Sequence, residues 1–92
     1  MEGSGDLMYY VEYRRKTYTV KNLKEAYKLG IKLDEATHED YAIRIFRTKP
    51  TKDTRPYRVM YHIPYLKTYV CGDGKSTYRV RKDGSRGKKI EW

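Results

Sequence analysis

The chain has 92 residues, 38% hydrophobic and 36% charged, with a net charge of +9, which suits one small domain with a single core. Its aromatic and β-branched content excludes a disordered chain, and its longest apolar run, residues 7–11, is too short to span a bilayer. A single cysteine, Cys71, excludes an internal disulfide framework and fits a reducing, intracellular and cytoplasmic setting.

The charge is unevenly placed. Residues 1–40 carry seven Lys/Arg against eight Asp/Glu, whereas residues 41–92 carry fourteen against four. A one-sided positive field favours a polyanion, either nucleic acid or an acidic protein, with a merely solubilising surface as the plain alternative. An anionic membrane is disfavoured, because one Phe and one Trp leave little to insert. Glutamine is absent and asparagine occurs once, as Asn22. Such depletion of heat-labile amides beside abundant charge is a thermophile tendency, although an AT-rich genome would also enrich Tyr, Lys and Ile. A virus or mobile element of a thermophile is the expected source.

The opening "MEGSGD" is expected to belong to a flexible leader over residues 1–7, with one α+β domain over 8–92. No secretory signal pattern is visible. "MYYVEYRRKTYTV" reads as two strands, 8–13 and 17–20, about a turn at Arg14–Lys16. "NLKEAYKLG" reads as a helix capped by Asn22, with Glu25 three residues on and Gly30 as the left-handed stop. Leu23, Ala26 and Tyr27 share its apolar face. The acidic "IKLDEATHED" is a loop or a short helix.

"YAIRIFR" alternates as a strand, and "TKPTKDTRP" breaks the pattern as an exposed loop. Strands near 57–63 and 66–71 follow, then the turn "GDGK", the strand "STYRVRK", the turn "DGSRG" and a last strand "KKIEW". The predicted architecture is α+β: an antiparallel sheet, made of an N-terminal hairpin and a C-terminal β-meander, with one short helix packed on it.

Within "PYRVMYHIPYLKTYV" tyrosine returns every fourth residue, as Tyr57, Tyr61, Tyr65 and Tyr69. Pro64 rules out a helical stripe, and even spacing along extended chain puts the four rings on one face. Tyr61 and Tyr65 are expected to close the core, leaving Tyr57 and Tyr69 accessible as stacking platforms.

"CGDGKST" contains Gly-Lys-Ser but has Tyr69 where a phosphate loop needs its first glycine, so a hairpin turn is the simpler reading. "NLKEAYKLGIKLDEA" half-matches a helix-turn-helix, yet its second helix would present Asp34, Glu35, Glu39 and Asp40 to phosphates. His38, His62 and Cys71 lack metal-ligand spacing, and no metal or other cofactor is expected. His62 among Arg58, Tyr61 and Lys67 is a candidate general base for a metal-independent ribonuclease.

The cations give the strongest signal. Arg44, Arg47, Lys49, Lys52, Arg55 and Arg58 run through the proline loop, and Arg79, Arg81, Lys82, Arg86, Lys88 and Lys89 crowd the last hairpin. Arginine donates bidentately to phosphate and stacks on bases. Basic loops beside tyrosines match the way sheet-based modules hold nucleic acid. These twelve cations with Tyr57 and Tyr69 form the expected interface of a non-enzymatic protein that binds DNA or RNA mainly by charge. The alternatives are a viral or mobile-element module that engages an acidic protein or nucleoprotein complex, and a small ribonuclease.

Overall fold

The computed structural model describes residues 8–72 and 75–91. The predicted leader, the tip of the "GDGK" turn and Trp92 lie outside the described residues. Strands β1 (Tyr9–Tyr13) and β2 (Lys16–Val20) form a hairpin, followed by helix α1 (Leu23–Thr37). Then come β3 (Ile43–Phe46), β4 (Arg58–Ile63), a 3-10 turn (Pro64–Leu66), β5 (Thr68–Gly72), β6 (Thr77–Val80) and β7 (Arg86–Lys89). The strands make one antiparallel sheet in the order β2-β1-β3-β4-β5-β6-β7. The chain is an α+β protein with an N-terminal hairpin, a C-terminal meander and, among the described residues, one α-helix.

The hairpin turn is tighter than its residues favour. Tyr13 pairs with Lys16, so Arg14 and Arg15 alone make the turn, at φ 53° and 69°. Two left-handed residues give the twist that strands prefer, normally at Asn-Gly rather than Arg-Arg. The helix starts where its cap predicts: the Asn22 side chain accepts from the Glu25 N–H at 2.8 Å.

The helix does not stop at Gly30, which corrects the sequence reading and removes the helix-turn-helix. Gly30 sits mid-helix because α1 lies close against the sheet. A Cβ there would meet Ile43 Cγ2 at 2.6 Å and Met60 Cε at 2.9 Å. The acidic segment continues the buried stripe of Ala26, Tyr27, Gly30, Ile31 and Asp34, and His38 in the left-handed conformation ends the helix. Asp34 is tolerated on that stripe because Tyr13 and Tyr69 donate to its two carboxylate oxygens at 2.6 and 2.7 Å.

The last strand begins at Arg86, two residues earlier than predicted. Arg81 N–H donates to the Ser85 carbonyl at 2.9 Å, so Lys82, Asp83 and Gly84 suffice to reverse the chain. That turn leans on the helix. Gly84, at φ 90°, has room only for hydrogen, since a Cβ would overlap the Lys24 carbonyl oxygen.

This contact shows that the sheet curls. From Val20 at the end of β2 to Lys24 the chain reaches at most about 14 Å. In a flat sheet β2 and β6 would lie about 24 Å apart. The sheet therefore wraps its concave face around α1, burying Val11, Ile31, Ile43, Ile45 and Met60 completely or nearly so.

The tyrosine row divides, and opposite to expectation. The connection after β4 pairs Ile63 with Thr68, Tyr61 with Val70 and His62 with Tyr69. An even number of connecting residues makes odd positions of β4 share a face with even positions of β5, so Tyr69 leaves Tyr61's face. Tyr69 is 8% exposed in the core, whereas Tyr61 is 40% and Tyr65 90% exposed. Tyr65 escapes the strand pattern because Pro64 opens a 3-10 turn.

Candidate nucleic-acid interface

The convex face of the sheet has no helix over it. Register places Tyr10 and Glu12 of β1, Arg44 and Phe46 of β3, Val59 and Tyr61 of β4, Val70 of β5 and Arg79 of β6 on this face. Phe46 and Val70 are buried among their neighbours, while Tyr61 and Arg44 reach solvent. Among the described strand residues on this face, Glu12 is the one acid, and its carboxylate already holds Arg44 at 3.4 Å. An exposed pair of this kind contributes about 0–1 kcal/mol, so Arg44 is readily drawn to another anion.

One end of this face is rimmed by the loop between β3 and β4. Arg47, Lys49, Lys52 and Arg55 are exposed there against one acid, Asp53. Thr51 and Thr54 fold its tip, with the Thr54 N–H donating to the Thr51 carbonyl at 3.1 Å and the Thr51 N–H to Thr54 Oγ1 at 2.9 Å. Tyr57 N–H donates to the Ile45 carbonyl at 2.7 Å and anchors the loop's return. The Tyr57 ring is already occupied, with the guanidinium of Arg58 4.1 Å and that of Arg47 5.0 Å from its centre. Tyr57 thus holds two arginines rather than offering a bare platform; Arg58 also donates to the Tyr57 carbonyl and hydroxyl at 3.1 and 3.2 Å, whereas the exposed Arg47 still presents N–H donors to phosphate.

The C-terminal cations do not form the single surface expected of them. Arg79 lies on the convex face opposite Val70. Arg81 turns back to the hairpin, donating to the Arg86 carbonyl at 3.0 Å and to Ser85 Oγ at 3.3 Å. Lys82 reaches Glu35 of the helix at 3.0 Å. Arg86 covers the Tyr78 ring at 4.4 Å and pairs with Val80, which puts it on the concave side. Lys88 and Lys89 are exposed on β7, the edge strand, where charge also discourages pairing with another sheet. Arg58 faces the helix, in a cleft with Leu23, Tyr27 and Cys71. Tyr69, buried and bonded to Asp34, offers no ring to a ligand.

A second polar site lies on the concave side, where α1 ends. His38, Asp40, His62, Lys67, Tyr69 and Arg81 border a cleft of about 470 Å³. His62 Nδ1 lies 2.9 Å from Asp40 Oδ1, and its ring rests on Tyr69 at 4.8 Å between centres. Of the neighbours expected for His62, Lys67 shares this cleft, whereas Tyr61 stands on the other face. His38 and Asp40 stand out in the sequence only as a lone histidine and a member of an acidic run, because they join His62 only when the helix crosses the sheet. Among the described residues no group of His, Cys, Asp and Glu is placed to hold a metal ion, and no helix is long and apolar enough to cross a membrane. Comparison with protein-family models, curated proteins and solved structures finds no match to this chain.

Proposed function

We propose that this protein binds nucleic acid on the convex face of its sheet and on the basic loop that rims it. The density of exposed cations supports this reading. The convex face and loop carry Arg44, Arg47, Lys49, Lys52, Arg55 and Arg79, against Glu12 on the strands and Asp53 in the loop. Phosphates are held by the loop and by Arg79, and a base can lie on Tyr61, whose ring is accessible.

The test is affinity for a short DNA and a short RNA across a salt series. Each phosphate neutralised on duplex DNA contributes a slope of about −0.9 in log K against log salt, and about −0.7 on a single strand. Replacing Lys49, Lys52 and Arg55 with Glu should weaken binding and flatten the slope by two to three of those increments. Affinity that ignores both salt and these substitutions would sink the proposal.

A further inference from the structure

The chain has two histidines, and the fold brings both to one cleft. His38 ends the helix and His62 lies on β4, and both join Asp40, Lys67 and Arg81. Three of the five non-glycine residues with positive φ among the described residues, namely His38, Asp40 and Lys67, border this same cleft. Left-handed backbone caps α1 at His38 and the 3-10 turn at Lys67, whereas at Asp40 it caps no helix. The Asp40 conformation has a visible result: its carboxylate meets His62 Nδ1.

We propose that this cleft cleaves RNA by proton transfer, with His62 as general base and His38 as general acid. The inference rests on the nucleic-acid reading above and adds a substrate class and a reaction to it. Asp40 accepts the Nδ1–H of His62, which fixes that tautomer and leaves the Nε2 lone pair to act. Nε2 takes the proton of a ribose 2′-hydroxyl, and the 2′ oxygen forms a bond to the adjacent phosphorus. The bond from phosphorus to the 5′ oxygen breaks, and that oxygen takes its proton from the His38 imidazolium. The products are a 2′,3′-cyclic phosphate and a 5′-hydroxyl, and solvent returns both rings to their starting protonation. Lys67 borders the cleft and supplies the cation where charge builds on the phosphoryl oxygens. The volume suits one nucleotide.

Asp40 and Tyr69 touch His62, and Asp34, Glu35, Lys67 and Lys82 line the same cleft. Glu35 already holds Lys82.

The experiment incubates the purified full chain, in chelator, with a single-stranded RNA and with DNA of the same sequence, and identifies ends by mass spectrometry. The expected result is RNA cut to 2′,3′-cyclic phosphate ends and DNA left intact. His62→Ala, purified identically, should lose at least 100-fold in rate while RNA binding stays within about twofold. Should that variant not fold, His62→Gln takes its place. Asp40→Asn and His38→Ala should each lose at least tenfold in rate. RNA bound but left intact, cleavage that survives His62 substitution, or cleavage lost in chelator would overturn the cleft's role and leave the binding surface standing. RNA neither bound nor cut would overturn both proposals.

Discussion

At the scale of single residues, Asp34 shows what the sequence conceals. It is 1% exposed, and its hydroxyl partners, Tyr13 and Tyr69, are 21 and 35 positions away. Read alone, the Asp34 neighbourhood is an acidic, solvent-seeking stretch; only the crossing of helix and sheet supplies the donors. Hydrogen bonds to a charged group contribute about 1.5–3 kcal/mol. Tyr69→Phe should therefore lower unfolding free energy in urea by about that amount, and Asp34→Ala by more, since it strips both hydroxyls of their acceptor. A Tyr69→Phe variant as stable as the parent would mean that this bond contributes nothing net.

The same contact sets a pH dependence. Burial first, and the Asp34 bond second, push Tyr13 from 10.0 up to about 12. A raised folded value means the folded chain keeps a proton that the unfolded chain gives up. The associated stability is whole below pH 10 and is lost as pH rises from about 10 to about 12. Tyr27 and Tyr69 are shifted the same way by burial first. Melting temperature should fall across that alkaline window, and Tyr13→Phe should make the fall shallower.

At the scale of elements, local chemistry was legible and long-range packing was not. The Asn22 cap, the hairpins and the exposed proline loop depend on neighbours in sequence, so pattern and propensity locate them. Gly30 carries the right residue for a helix stop, but its meaning comes from Ile43 and Met60. Gly30→Ala gains about 1 kcal/mol of helix propensity, yet it forces a Cβ into both side chains. Overpacking costs about 1–3 kcal/mol, so the variant should melt lower than the parent. A higher melting point would show that the helix can move off the sheet.

The Arg14–Arg15 turn gives the opposite case. Arg14 reaches Glu39 at 3.4 Å and lies over Tyr41, while Arg15 is exposed and holds φ 69°. Arg15→Gly removes a left-handed penalty of about 1–2 kcal/mol, offset in part by glycine's unfolded-state entropy. The net should be a gain in urea midpoint. A loss would mean that the Arg15 side chain stabilises the turn.

At the scale of the whole molecule, the charge split between the two parts of the chain proves to be only half of the pattern. The fold sends Arg79 to the convex face, and Lys82 and Arg86 to the concave side. Composition could identify the excess of cations but not this division, which follows from strand parity and from the turn that brings β6 into β7. The curl of the sheet was equally hidden, because it depends on Gly84 meeting the helix. Parity also explains the tyrosines: a four-residue connection moved Tyr69 into the core and left Tyr61 outside.

Lys24, Lys28 and Lys32 form a rival cationic row, exposed and four residues apart on the helix. Amide chemical-shift mapping with a short single-stranded DNA separates the two surfaces directly. On the reading given above, the largest perturbations fall on Arg44, Tyr61, Arg79 and residues 47–55. Perturbations confined to the helix row, with the convex face and loop unmoved at saturation, would contradict it.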